Sequence, residues 1–232
     1  MKLVINEKLI KRNKKIGNVM SIAGIAILIG GLVVSFNPTP TKTIISFAAL
    51  IIGFIVSQAS TFFINRFGRE PRFDEVIADN LNKLNNDYTL YVYSSPVPLL
   101  LVGPQGLWMP VPVSARGEIY YDKKWKQHGG SFLLKLFGQE NIGRPEVDVE
   151  SNEKALNAFF EKYLPELDVP TTNSVLVSMN PDAGIGDVDE APLPIVDASA
   201  LRRYIRKIDR KVEVDIAPEV LGKINDAFQG SE

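Results

Sequence analysis

Residues 19–64 read VMSIAGIAILIGGLVVSF (19–36), NPTPTKT (37–43) and IISFAALIIGFIVSQASTFFI (44–64). The two long runs contain no charged side chain. A hydrocarbon core about 30 Å thick needs roughly 20 apolar helical residues, so each run is of the right order to span it. Pro38 and Pro40 lie between the runs, where they stop helix propagation and mark a turn. The stretch therefore predicts a hairpin of two transmembrane helices, at about 17–36 and 44–64.

Two other interpretations of the apolar runs are open. A cleaved signal peptide fits the basic residues before the first run, but the run is long for such a peptide, no A-x-A site follows, and a second run arrives at once. A buried hairpin of a soluble protein is the other, although both helices are apolar all round. Neither run contains an acid or a base, which argues against a proton or ion path. We interpret the hairpin as a membrane anchor.

Positive charge is concentrated beside the outer ends of the two runs. Residues 1–65 carry seven Lys or Arg and one acid, a net charge of +6, whereas residues 66–232 carry 19 basic and 26 acidic residues, a net charge of −7. Lys and Arg beside a span favour its cytoplasmic end. They are Lys8, Lys11, Arg12, Lys14 and Lys15 before the first run, and Arg66, Arg69 and Arg72 after the second. We therefore predict a multi-pass protein of the cell membrane with both termini cytoplasmic.

Small residues recur every four positions in the second run, which places them on one helical face: Ala49, Gly53, Ser57 and Thr61. The first run offers Ala26 and Gly30 at the same spacing. Small residues let helix backbones approach closely, so they predict packing of the two spans on each other. A face for self-association of the protein is the alternative. The expected partners of this region are the lipid bilayer and a second copy of the chain or another protein.

We divide the chain into a basic cytoplasmic N-terminus (1–15), two transmembrane helices (16–65), a cytoplasmic α/β domain (66–209) and a C-terminal helix and tail (210–232). Periodicity after residue 66 predicts helices at 72–85, 153–164, 198–207 and 218–228, and strands at 88–93, 98–102, 107–113, 117–121 and 173–179. This order implies a mixed sheet flanked by helices. The absence of cysteine excludes disulfides, thiolate zinc sites and a cysteine nucleophile, and a single histidine excludes a His-rich metal site.

Residues 97–119 contain a turn inside this domain. They read VPLLLVGPQGLWMPVPVSARGEI. The stretch resembles the nuclease-related domain family, NERD, a branch of the restriction-endonuclease-like nucleases. In that family a strand opening with Ile-Asp leads through a Gly-Pro-x-Gly turn into a strand that carries Glu-x-Lys. Gly103, Pro104, Gly106 and Gly117 fall where the family has them. The resemblance covers roughly residues 70–207 and implies a restriction-endonuclease-like mixed sheet.

The catalytic positions of that family are absent. Pro98 stands at the position of the metal-binding Asp, Val111 at the Glu and Val113 at the Lys. Such nucleases hold Mg²⁺ with carboxylates and use the Lys to orient or activate water, and proline and valine can do neither. The resemblance therefore implies a NERD-like domain without nuclease activity, a binding or scaffold module with no cofactor. The net charge of −7 also argues against nucleic acid as a partner.

Two further functions stay open. In the first, the domain is a membrane-tethered nuclease with relocated active-site residues, Glu75, Glu118, Asp122 and Lys124, which would need Mg²⁺ and converging carboxylates. In the second, the chain is a structural subunit of a membrane complex. An exposed apolar patch that includes Trp108, or Phe132 and Phe137, would favour binding of a protein partner.

Two local features of the sequence lead to further predictions. Cations crowd the helix at 198–207 and its exit: Arg202, Arg203, Arg206, Lys207, Arg210 and Lys211. They are typical either of a solvated helix face or of a site for phosphate or anionic lipid. Pro110 and Pro112 lack an N–H group, so the strand from Leu107 should be an edge strand or leave the sheet by Pro110.

Overall fold

The structure is a computed structural model that describes residues 1–36, 38–130, 140–213 and 215–229, with the side chain of Gln229 left out. The described chain divides into two compact units. A helical unit comprises residues 7–72, and an α/β unit comprises residues 1–6 and the chain from residue 73 onward. The predicted Phe132 and Phe137, and the tail from residue 230, lie outside the described residues.

The helical unit is a pair of long helices, α1 (Glu7–Ser35) and α2 (Pro40–Phe63), and a π-helical turn at Ile64–Gly68 follows α2. Both helices are long and apolar enough to cross a membrane, which confirms the two predicted apolar helices. Each begins earlier than predicted. Pro40 is not a break but the first residue of α2, where its missing N–H costs nothing, and Thr39 caps the helix by accepting a hydrogen bond from Lys42 N at 3.3 Å.

The contact between α1 and α2 repeats every seven residues. The buried small residues are Gly17, Gly24 and Gly31 on α1 and Ser46, Gly53 and Ser60 on α2. Two serines bond across the contact: Ser60 Oγ donates to Gly17 O at 2.9 Å, and Ser46 Oγ donates to Gly31 O. A seven-residue period is the spacing of helices that pack side by side along their whole length.

The predicted packing residues are in part at this contact. Gly53 is buried against Leu28, and the half-buried Ala49 and Ser57 lie against Gly31 and Gly24. The assignment of Ala26 and Gly30 to the packing of the two spans is wrong, because both are exposed and a Cβ added to Gly30 would meet nothing within 4 Å. The neighbouring Gly31, not Gly30, makes the contact, because the true period on α1 is seven and not four.

The outward faces of the two helices are apolar, and none of the described residues covers them. The exposed large apolar side chains include Ile22, Phe36, Ile44 and Phe47, with relative exposures of 64–72%. A water-soluble unit rarely leaves a continuous apolar surface of this kind, whereas lipid covers it at no cost.

The α/β unit is built on a six-stranded mixed sheet with the strand order β1-β2-β3-β4-β7-β9. Its strands are β1 (Lys2–Ile5), β2 (Thr89–Val92), β3 (Leu99–Gly103), β4 (Gly106–Val113), β7 (Thr172–Ser178) and β9 (Ile195–Asp197). β2, β3 and β4 are joined as antiparallel neighbours, while β7 and β9 continue the sheet in parallel from β4.

The edge strand β1 precedes the first long helix. It pairs in parallel with β2, from Lys2 opposite Thr89 to Ile5 opposite Val92. The charged amino terminus is also held, since Met1 N donates to Leu84 O at 2.9 Å. The sequence predicts a basic N-terminal segment here, whereas in the structure residues 2–5 are a strand of the α/β sheet. The hairpin is thus inserted between the first strand of the sheet and the rest.

β4 runs straight through its two prolines. Of the two predicted alternatives, departure from the sheet by Pro110 is wrong, and an edge strand is correct only beyond Trp108, where β4 pairs with β7 alone. Leu107 N donates to Thr171 O on the β7 side, and N–H direction alternates along a strand. The nitrogens of Pro110 and Pro112 therefore point toward β3, whose pairing with β4 ends at Trp108. Pairing with β7 continues to Val113. The two prolines therefore lie at positions where a backbone N–H group of β4 would have no acceptor on β3.

A smaller sheet with the order β6-β5-β8 follows, made of β5 (Gly117–Tyr121), β6 (Trp125–His128) and β8 (Ala183–Ile185). The helices of this unit are α3 (Phe73–Leu81), α4 (Pro145–Tyr163), α5 (Leu201–Asp209, after a 3₁₀ turn at Ala198–Ala200) and α6 (Pro218–Gln229). α4 begins two turns before the predicted start.

Alternate residues of the large sheet pack into two apolar layers, one on each face of the sheet. Leu107 and Met109 of β4 share a core with Phe160 of α4 and Phe228 of α6. Trp108, which points the other way, meets Tyr204 of α5 edge to face, with ring centroids 6.0 Å apart. Helices therefore cover both faces of the sheet, as predicted for an α/β domain. Trp108 is 2% exposed, so it is not part of an exposed apolar patch that would favour a protein partner.

Candidate functional site

The positions to which the resemblance would assign a catalytic Glu and Lys are filled by core side chains. Val111 and Val113 point to the same face of β4 and belong to the cluster that contains Met109 and Val149. They are 8% and 4% exposed. Pro98 lies just before β3, and its carbonyl accepts a hydrogen bond from Tyr93 N at 2.9 Å. These three positions offer apolar packing and no side-chain ligand for a metal ion.

The four candidate relocated residues lie on different elements. Glu75 is in the first turn of α3, whereas Glu118 is on β5 and Asp122 and Lys124 lie between β5 and β6. Asp122 is exposed and forms an ion pair with Lys126, four residues on. The Glu118 carboxylate covers Gly186, where an added Cβ would lie 2.7 Å from Oε1. Within the described ranges, no three His, Asp or Glu side chains converge in a group that could hold a metal ion.

The most concentrated charge in the described α/β unit lies on α5. Five cations line an open groove of about 450 Å³: Arg202, Arg203, Arg206, Lys207 and Arg210. The opposite side of the helix is buried, with Leu201, Ile205 and Asp209 spaced four residues apart. α5 is therefore strongly amphipathic, and its polar face carries one sign of charge.

A buried carboxylate fixes the end of this helix. Asp209 is 6% exposed and accepts two hydrogen bonds, from Tyr88 Oη at 2.5 Å and from Trp108 Nε1 at 3.0 Å. Burial of the Tyr88 hydroxyl, together with its hydrogen bond to Asp209, raises the pKa of Tyr88 well above its ordinary value. In the sequence, an acid beside four cations has the pattern of an exposed ion pair, so no role for Asp209 can be predicted from it.

The cations of α5 do not form ion pairs with the Asp209 carboxylate. Arg206 donates from Nη2 to Lys83 O at 2.8 Å, a hydrogen bond to a backbone carbonyl. In the part of the chain that the structure describes, none of the five cations forms an ion pair with an Asp or Glu. The face is thus an uncompensated positive surface on a helix held in place by its buried side.

Comparison of the chain with protein family models, with curated proteins and with solved structures finds no match.

Proposed function

We propose that this chain is a membrane-anchored protein with a NERD-like cytoplasmic domain that has no nuclease activity and works as a binding or scaffold module. The pairing of β1 with β2 carries the proposal. The chain leaves the α/β sheet after Ile5, runs through two apolar helices and re-enters the same unit at Phe73. A pair of spans returns a chain to the side from which it started, so the insertion agrees with both termini on one side.

The charges beside the helices support the cytoplasm as that side. Lys8, Lys11 and Lys14 lie in the first turns of α1, and Arg66 lies in the turn that follows α2. At the other end of the helix pair the sequence has only Lys42, in the first turn of α2. Short positively charged flanks stay on the cytoplasmic side during insertion. The uncovered apolar faces of α1 and α2 support the same proposal, since a bilayer is the solvent that suits them.

Two observations support a NERD-like domain without catalysis. The element order from α3 through β2, β3, β4, α4 and β7 is the order on which the resemblance rests, with β4 and β7 parallel. The catalytic positions of β4 are Val111 and Val113, which are packed in the apolar core. A metal-dependent nuclease needs carboxylate ligands there or in an equivalent cluster.

A nuclease assay tests the absence of activity. The full chain in detergent is the right sample, because a fragment that starts at residue 66 lacks β1. With linear and circular DNA, with RNA, and with Mg²⁺ or Mn²⁺, we expect no cleavage that differs between the natural chain and Glu118→Ala. Cleavage that Glu118→Ala abolishes, and that Glu146→Ala, a matched change in the first turn of α4, leaves intact, would contradict the proposal and favour a relocated active site.

A further inference from the structure

We propose that the cationic face of α5 binds the phosphate headgroups of anionic lipids in the membrane to which the chain is anchored. The face consists of Arg202, Arg203, Arg206, Lys207 and Arg210. This inference rests on the proposed membrane anchoring and adds to it a ligand class and a binding surface in the α/β unit.

Repulsion within the face is the first argument. Arg202 and Arg206 are four residues apart on one helix, as are Arg203 and Lys207, and like charges at this spacing destabilise a helix. In the described chain no carboxylate forms an ion pair with any of them. An external anion would relieve this repulsion, and an array of phosphates relieves it at all five positions.

The helix dipole does not account for the pattern. Cations in the last turn of a helix interact favourably with its dipole, which explains Arg206 and Lys207. Arg202 and Arg203 are in the first turn of α5, where the dipole disfavours positive charge. Positive charge in this turn lowers the stability of the helix, and neither helix capping nor solubility explains why Arg202 and Arg203 are there.

The face is also held rigidly. Leu201 and Ile205 are fully buried, and Asp209 is bonded to Tyr88 and Trp108 at the other end of α5. The cations therefore project from a fixed backbone, so less conformational freedom is lost on binding than for a disordered basic tail.

The bilayer in which the chain is anchored is the surface that best fits this cationic face. A single Lys or Arg gains little from an anionic surface, but a domain anchored to that surface meets it at high effective concentration. The domain follows the helical unit directly, since α3 begins at Phe73 and that unit ends at Arg72. Residues 66–232 carry a net charge of −7, so attraction to an anionic surface depends on a local face and not on the domain as a whole.

The natural absence of cysteine permits a direct test on the full chain. Ser199→Cys, exposed in the turn before α5, carries a fluorophore. Energy transfer to a headgroup-labelled lipid is measured in vesicles of phosphatidylcholine alone and of phosphatidylcholine with phosphatidylglycerol. Resistance to carbonate extraction is measured on the same vesicles and reports anchoring independently of α5.

We expect greater energy transfer in the phosphatidylglycerol vesicles, and we expect added salt to remove the difference. Arg203→Gln/Lys207→Gln should lower the ratio of docked to undocked domain on the order of tenfold. The matched control is Lys162→Gln/Lys223→Gln, which removes two exposed positive charges from α4 and α6 and should change the ratio little.

The outcomes separate the two proposals. Equal transfer in both vesicle types, or equal loss in both double variants, with extraction resistance retained, overturns the lipid site and leaves the anchor standing. Loss of extraction resistance in both vesicle types overturns the anchor and the lipid site with it. Binding of a labelled oligonucleotide that depends on Arg203 and Lys207, without any effect of lipid composition, overturns the lipid site in favour of nucleic acid.

Discussion

Replacing Gly31 by leucine should separate α1 from α2, whereas the same replacement at Gly30 should leave the helix pair intact. A Cβ at Gly31 would lie 2.7 Å from Ala49 Cβ, and the neighbouring Gly30 has nothing within 4 Å. The clash at Gly31 also disturbs the hydrogen bond that Ser46 Oγ donates to Gly31 O. Overpacking of a tight contact costs about 1–3 kcal/mol, and a leucine at a seam without room lies at the upper end of that range.

The measurement is unfolding of the full chain in mixed micelles with increasing sodium dodecyl sulfate, followed by loss of helical circular dichroism. Gly53→Leu should fall between the two variants, because its Cβ would meet the end of the flexible Leu28 side chain at 2.7 Å and that side chain can move. Equal midpoints for Gly30→Leu and Gly31→Leu would contradict the seven-residue contact.

The same variants decide the self-association alternative. Ala26 and Gly30 lie on the uncovered side of α1, so a second copy of the chain could contact them. If it does, Gly30→Leu lowers the fraction of oligomer in detergent without a change in the unfolding midpoint. If oligomers are unaffected, packing within one chain accounts for all the small residues at the contact.

Removing the carboxylate of Asp209 should strongly destabilise the α/β unit. Asp209→Ala removes the acceptor of the buried Trp108 Nε1 and the charged acceptor of Tyr88 Oη, which keeps Gln105 Oε1 at 2.9 Å. A buried donor without a partner costs about 1–3 kcal/mol, and the loss of the charged acceptor of Tyr88 Oη adds to that cost, which predicts a loss of roughly 3 kcal/mol in total. For a unit of this size the Tm falls by roughly 10 °C.

Thermal unfolding monitored by tryptophan fluorescence is the measurement, because both tryptophans of the chain, Trp108 and Trp125, are in the α/β unit. Asp215→Ala is the control, since Asp215 is an exposed carboxylate that accepts one hydrogen bond from Gln105 at 2.9 Å. It should lower the Tm by no more than a few degrees. Similar losses for the two variants would show that the buried contacts of Asp209 contribute nothing special.

Much of this architecture can be predicted from the sequence, because long elements carry a strong periodic signal. The apolar runs at 19–36 and 44–64, the turn at Gly103–Gly106 and the helix at the C-terminus all appear where they are expected. β1, β8 and β9 cannot be found this way. They are three or four residues long, and each is a strand only because another strand lies beside it.

Two errors have a geometric cause. The seven-residue period of Gly17, Gly24 and Gly31 appears only when the partner helix is known, and a four-residue period selects Ala26 and Gly30 instead. Pro110 and Pro112 predict an edge strand or the end of the strand, but their effect depends on which side their nitrogens face. The role of Asp209 is also hidden in the sequence, because the residues that bury it and its two hydrogen-bond donors come from distant parts of the chain.

The placement of both chain ends on one side of a membrane is tested most directly by single-cysteine labelling. Lys42→Cys lies in the first turn of α2, Lys2→Cys in β1 and Lys162→Cys in α4, and all three positions are exposed. Intact cells that express each variant are treated with a maleimide that cannot cross membranes. We predict labelling of Lys42→Cys in intact cells, and labelling of Lys2→Cys and Lys162→Cys only after lysis. Labelling of Lys2→Cys or Lys162→Cys in intact cells, or protection of all three until lysis, would contradict a hairpin that spans the membrane and returns the chain to the cytoplasm.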